Sequence, residues 1–193
     1  YIASGSNERN LQLIDNIINI CINNKASRLV HCSTAVVVGS SPVTQITEEI
    51  SCAPLSTYEK NKWILEQNLL STSIQGLDVG ILRPTAIIGP GGKNLLKLAN
   101  SLKYGNRFVN YIRSCLFSHR PMHLVPVNDV AAALLHLAFL PGDLNRNVYI
   151  ISADDDPNNN FNSVENILFN SLDLKPRFFP VIPLPLGVLS FLL

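Results

Sequence analysis

The chain has 193 residues and is 47% hydrophobic, enough to bury one full core with room for a small second lobe. Its net charge of +1, with acids and bases interspersed, excludes the basic footprint of a nucleic-acid or anionic-membrane binder. The four cysteines, Cys21, Cys32, Cys52 and Cys115, lie far apart without a CxxC pair, and read as free thiols in a reducing, cytoplasmic setting.

In chain order, Leu11, Leu13, Ile14, Ile17, Ile18, Cys21 and Ile22 recur at helical spacing, which predicts an amphipathic helix over 10–24. Arg28 to Cys32 is a short apolar run that predicts a buried parallel strand, with Ser33 to Gly39 read as its end. Residues 40–57 form a long polar loop broken by Pro42 and Pro54. Ser56 or Thr57 can cap a helix running to about Ser73. Val79 to Leu82 predicts the next buried strand, followed by a turn at Gly89-Pro90-Gly91-Gly92. Leu95 to Tyr104 reads as helix, 107–124 as a segment with short strands, and Asp129 to Leu140 as an apolar helix stopped by Pro141-Gly142. Val148 to Ile151 reads as a strand, the Asn-rich patch around Asn158 as a loop, and Val164 to Leu172 as a helix. Alternating strands and helices predict an α/β fold with a parallel sheet.

Both ends suggest a piece of a longer protein. The chain starts at Tyr1 rather than methionine, and 178–193 is a Pro-rich connection into an apolar helix. Three prolines interrupt that tail, so no transmembrane span is expected.

The chemistry rests on Tyr58 and Lys62, which a helix places on one face. A free phenol titrates near about 10, too high for a base at neutral pH. A cation about 4 Å away, at an effective dielectric near about 20, favours the phenolate by about 4 kcal/mol. That is worth up to roughly three pKa units before desolvation takes some back. Thr34, at the end of the neighbouring strand, can hold a substrate oxygen, and open α/β sheets bind ligands at that edge. With five tyrosines and seven lysines, a YxxxK match arises by chance in about one such chain in five, so its context decides.

That context is Ser33-Thr34-Ala35-Val36-Val37-Val38-Gly39, then Tyr58-Glu59-Lys60-Asn61-Lys62, then Leu82-Arg83-Pro84-Thr85-Ala86-Ile87-Ile88-Gly89-Pro90, then Val127-Asn128-Asp129-Val130-Ala131. In order and separation these segments resemble the NAD-dependent epimerase/dehydratase branch of the extended short-chain dehydrogenase/reductase superfamily, over nearly the whole chain. The resemblance implies a Rossmann-like doubly wound parallel sheet, N-terminally truncated, with a small C-terminal substrate lobe. Residues 1–92 would be the later part of the dinucleotide-binding domain, and 93–193 the lobe interleaved with the last strands. It implies Tyr58 as general acid/base, Lys62 as the residue that tunes it and holds the nicotinamide ribose, and Thr34 as the hydroxyl partner. Ser33, Pro84 and Thr85 would meet the cofactor, NAD or NADP, and Thr34, Ala86 and Arg113 the substrate. Asn10 stands where the family has a helix asparagine, although the Gly-Thr that normally follows is Leu13-Ile14 here, and Asp129 matches a structural acid that caps its helix. No metal site is implied.

Three departures stand out. Val38 replaces the family's aromatic, Ala86 replaces an asparagine that helps hold a nucleotide-sugar, and no GxxGxxG loop precedes Thr34. The missing part amounts to roughly 70–90 residues. His31 reads as a packed strand residue, His119 and His123 lack companions for a metal, and Arg107, Arg113 and Arg120 form a loose basic series. The expected activity is redox chemistry on a small-molecule substrate, a nucleotide-sugar, by a protein that is a homodimer when complete. The alternatives are a reductase or hydroxysteroid-dehydrogenase-like enzyme acting on an apolar ketone or alcohol, and a non-catalytic remnant or binding module of the same fold.

Overall fold

Three apolar runs form the main sheet of the computed structural model, which describes residues 7–40, 45–71, 76–174 and 179–183. These are β1 (Arg28–Cys32), β2 (Asp78–Pro84) and β5 (Val148–Ile151), in the order β1-β2-β5 and all parallel. Register runs from Arg28 opposite Asp78 to Cys32 opposite Leu82, and from Ile81 opposite Val148 to Pro84 opposite Ile151. The carboxyl ends of the three strands therefore share one edge. Pro84 lacks an N–H and is tolerated in the central strand because it is the last residue.

The helices are α1 (Asn7–Asn23), α2 (Thr57–Ser71), α3 (Leu96–Tyr104), α4 (Arg107–Phe117), α5 (Val127–Phe139) and α6 (Phe161–Ser171). Two short strands, β3 (Ala86–Ile88) and β4 (Leu124–Pro126), pair in parallel as a second sheet. The chain divides into two compact units, one of residues 1–85 and 128–151, the other of 86–127 and 152–193. This is an α/β, Rossmann-like fold.

In the first unit, Ile14 and Ile18 of α1, Leu65 and Leu69 of α2, and Leu77, Val79 and Ile81 make one buried cluster. Each such side chain contributes about 1.5–3 kcal/mol by leaving water. Arg28 opens β1, pairs with Asp78 at 2.9 Å, and donates to the carbonyls of Leu137 (3.0 Å), Leu140 (2.7 Å) and Gly142. Its guanidinium thereby satisfies the open carbonyl end of α5, where a cation also suits the helix dipole.

Several expectations need correction. Ser33 to Gly39 does not continue the strand: β1 stops at Cys32, and Ala35–Val38 is a 3-10 turn. The Ser33 N–H still donates to the Leu82 carbonyl at 2.7 Å, and then the chain turns. The segment 107–124 is mostly helix, since Asn106 caps α4 by accepting from the N–H groups of Phe108 (2.9 Å) and Val109 (3.2 Å). Its pattern misleads because α4 buries Asn110, Ser114 and Cys115 while Phe108 and Val109 stay exposed. Asn110 earns its burial by donating to the Ser101 carbonyl (2.6 Å) and accepting from the Ser101 hydroxyl (2.9 Å). Asp129 stands inside the first turn of α5 rather than ahead of it. The Asn-rich loop is specific: the Asn159 side chain bonds both the N–H and the carbonyl of Leu124 in β4, at 3.0 and 2.9 Å. Pro42, the last residues read into the second helix, and the apolar tail after Pro183 lie outside the described residues. No described helix is long and apolar enough to cross a membrane.

Gly39 closes the 3-10 turn at φ 72°, and a Cβ there would sit 1.9 Å from the Ala53 carbonyl oxygen. Gly39→Ala is expected to lower stability by about 1–3 kcal/mol. The check is the urea midpoint at constant slope; an unchanged midpoint contradicts this close approach.

Candidate active site

The residues singled out in α2 are set by the way that helix starts and by what it buries. Ser56 and Glu59 form a reciprocal cap: the Glu59 N–H donates to the Ser56 hydroxyl (3.2 Å), and its carboxylate accepts from Leu55 and Ser56 N–H at 2.7 and 3.1 Å. Those backbone donors hold the Glu59 carboxyl below its usual range. Tyr58 lies in this fixed first turn, 43% exposed, within reach of solvent or a ligand.

The inner stripe of α2 alternates chemistry along its length, with Asn61, Lys62, Leu65, Glu66 and Leu69 all buried. Leu65 and Leu69 join the core. Glu66, with no exposed surface, receives Arg83 from β2: Nε lies 3.1 Å from both carboxylate oxygens and Nη2 2.6 Å from Oε2. The Arg83 guanidinium also lies 5.6 Å from the Trp63 ring. Burial works against the Arg83 charge, and Glu66 more than restores it, so Arg83 is held protonated above its ordinary value.

One turn before Glu66, Lys62 is 9% exposed and its Nζ donates to the carbonyl of Cys32, the last residue of β1, at 3.2 Å. Burial lowers the Lys62 pKa, while the Cys32 and Glu66 side chains act in the opposite direction. Ser33 and Thr34 follow Cys32 directly. Ser33 is buried, and its hydroxyl has no hydrogen-bond partner among the described residues. Thr34 is extended, partly exposed, and begins the 3-10 turn against which α2 packs. At the end of β2, Pro84 is fully buried and the Thr85 hydroxyl is again buried without a partner.

In the first unit, Tyr58 and Lys62 lie on α2, from which Lys62 reaches the end of β1, while Ser33 and Thr34 follow β1 and Pro84 and Thr85 lie at the end of β2. Ala86 opens β3 in the second unit, its N–H donating to the His123 carbonyl at 2.9 Å. Arg113 lies on α4 in that unit, with Nη1 3.1 Å from the Ser101 hydroxyl and the guanidinium 5.8 Å from the Phe161 ring. Its Nε and Nη2 are buried without partners, and it lines a cavity of about 450 Å³ with Phe117, Arg120, Met122 and His123. A second cavity in that unit, about 510 Å³, is mostly apolar, with Leu102, Phe108, Tyr111, Phe169 and Phe179 among its walls. Asn10 is buried on α1. Sequence reasoning did not single out Glu66; the signal available was a carboxylate one turn past Lys62 on the same face.

His31 occupies β1, as a packed strand residue would, 8% exposed and with Nε2 unpartnered. Burial, then the nearby Lys62 charge, depress its pKa from 6.5 to about 4. Between those values the unfolded chain binds a proton that the folded chain refuses, so acid favours unfolding. Stability is expected to fall by up to about 3 kcal/mol as pH drops through this window. His31→Leu should remove that part of the loss when urea unfolding is compared above and below the window. An identical pH slope in both proteins contradicts the assignment.

Comparison with known proteins fits this frame. The model of the NAD dependent epimerase/dehydratase family matches residues 3–150. Human short-chain dehydrogenase/reductase family 42E member 1 is 32% identical over 137 residues, 61% of this chain and 33% of that protein. Sterol demethylase protein B of Methylococcus capsulatus is 29% identical over 118 residues, 56% of this chain and 33% of that protein. The chain therefore spans about a third of the length of these curated relatives. Among solved structures, the Bordetella bronchiseptica enzyme WbmG in complex with NAD and UDP superposes with a TM-score of 0.65 at 18% identity. That superposition covers 89% of this chain and 52% of WbmG, and is a likeness of fold. The matched span contains the whole strand–helix–strand frame around Tyr58 and Lys62, and the chain belongs to the NAD dependent epimerase/dehydratase family.

Proposed function

We propose that the intact protein is an NAD- or NADP-dependent oxidoreductase that interconverts a secondary alcohol and a ketone on a nucleotide-linked sugar, with Tyr58 as acid/base. The observation that carries this reading is the buried Lys62 ammonium, held on the last carbonyl of β1 and one helical turn from Tyr58. A cation fixed there favours the phenolate, as a proton acceptor near neutral pH requires.

The cofactor, when bound, supplies the hydride acceptor for oxidation or the donor for reduction. Lys62 would hold the nicotinamide ribose by a second donated hydrogen bond. Ser33 and Thr85 would give their unpartnered hydroxyls to the nicotinamide end, with Pro84 packing beside them. Thr34 donates its hydroxyl to the substrate oxygen and keeps it within reach of the phenol. Tyr58 takes the proton from that oxygen during oxidation and returns it during reduction. Ala86 would line the substrate, and Arg113 would pair with its diphosphate, since a guanidinium matches phosphate in a bidentate way. The buried Nε and Nη2 of Arg113, which have no partner among the described residues, support this.

A second reading, an apolar alcohol or ketone such as a sterol, is favoured by the 510 Å³ apolar cavity and by the sterol demethylase relative. Reduction of NAD+ and NADP+ by the full-length natural protein, tested with UDP-sugars and with sterol alcohols, separates the two. On the accepted substrate, Tyr58→Phe is expected to lower kcat by about 10²–10⁴-fold with cofactor binding retained. A Tyr58→Phe enzyme close to wild type contradicts the mechanism. Arg113→Ala should raise KM for a UDP-sugar by roughly tenfold or more; activity on sterols alone, indifferent to Arg113→Ala, moves the reading to the apolar substrate.

A further inference from the structure

We propose that Glu66 and Arg83 are positioning residues for the Tyr58–Lys62 pair: their buried ion pair sets how α2 lies on β2, with the Glu66 carboxylate one turn from Lys62 on the same buried stripe. The inference rests on the reading of Tyr58 and Lys62 above, and adds two residues that need touch neither substrate nor cofactor.

The geometry has three parts. Lys62 and Glu66 are four residues apart on the buried stripe of α2, so they are neighbours on one face. Arg83 holds Glu66 through three contacts of 2.6–3.1 Å, and directly precedes Pro84 and Thr85 at the end of β2. Lys62 ends on Cys32 O at the end of β1. The pair therefore ties the helix that carries Lys62 to the strand beside the one Lys62 reaches. Leucines at positions 65 and 69 hold α2 down, but apolar contact is non-directional and leaves its roll about its own axis weakly determined. A two-oxygen, two-nitrogen contact admits one roll.

The groups facing this row are few. From β1 come His31, kept neutral by its burial, and Cys32. From α2 comes Glu66, with Tyr58 one turn before Lys62, and from β2 Arg83, with Cys52 of the loop before α2 beside the guanidinium. Among them Glu66 is the acid on the face of Lys62. Neutralising it removes an attraction on the ammonium and releases the Arg83 charge, and both changes make the Lys62 proton easier to lose.

The test is a pH titration of the Lys62 Nζ signal in the intact protein labelled with 15N-lysine, assigned through Lys62→Arg. Glu66→Gln should lower the Lys62 midpoint by about one to two units, and Glu66→Asp, which keeps the charge, should leave it near wild type. Because a lone Arg83 can prevent folding, Glu66→Met combined with Arg83→Met provides a second measurement; apolar replacement of a buried pair is generally tolerated. In that variant the midpoint should also fall, and kcat should drop at least about tenfold. A folded Glu66→Gln or double-methionine protein with a wild-type Lys62 midpoint and kcat overturns the proposal. Tyr58→Phe run alongside separates the two claims. Full activity of Tyr58→Phe would sink the catalytic reading, and the Lys62 shift would still decide the electrostatic one.

Discussion

The contact on which the site depends is the buried ion pair between Glu66 of α2 and Arg83 of β2. Taking two charges out of water costs several kcal/mol per ion, and attraction recovers this only with good geometry and full hydrogen bonding. Here three short N–H···O contacts provide both. Removing either partner alone leaves an uncompensated charge, at a cost of about 3–5 kcal/mol. The pair contributes less to net stability than to arrangement, because it selects one placement of the helix that carries Tyr58 and Lys62.

From that placement the rest follows in order. The Ser56–Glu59 cap fixes the first turn of α2 and the exposed position of Tyr58 in it. The stripe one turn further in carries Lys62 to the carbonyl at the end of β1. There the chain leaves the sheet in a 3-10 turn, which Gly39 can close because it adopts a positive φ against the Ala53 carbonyl. The turn keeps Thr34 at the strand end. The parallel register, with Cys32 opposite Leu82, leaves Ser33 just past the end of β1 and Pro84 and Thr85 at the end of β2.

Much of this was legible in the residues, and the failures have physical causes. The helix around Ile14 follows from apolar residues at helical spacing, and the strand Val148–Ile151 from a short unbroken apolar run. The turn at Ala35–Val38 was hidden because three valines in a row look like strand, although β1 had already ended. Helix α4 was hidden because its buried face is polar and its exposed face apolar, the reverse of the usual pattern. The strand β3 is three residues long and begins two residues after Pro84, too short for any alternation to show. Tyr58 and Lys62 stood out by spacing, whereas Glu66 did not: a glutamate on a helix is normally a solvated one, and only its burial against Arg83 distinguishes it.

The most direct measurement is a crystal structure of the intact protein with NAD bound. The account predicts the nicotinamide beside Pro84 and Thr85, the Lys62 ammonium within hydrogen-bond distance of its ribose hydroxyls, and the Tyr58 phenol facing the reactive ring, with Glu66 and Arg83 still paired. A nicotinamide bound away from the ends of β1 and β2, with Lys62 engaged only with Cys32 O, would contradict it.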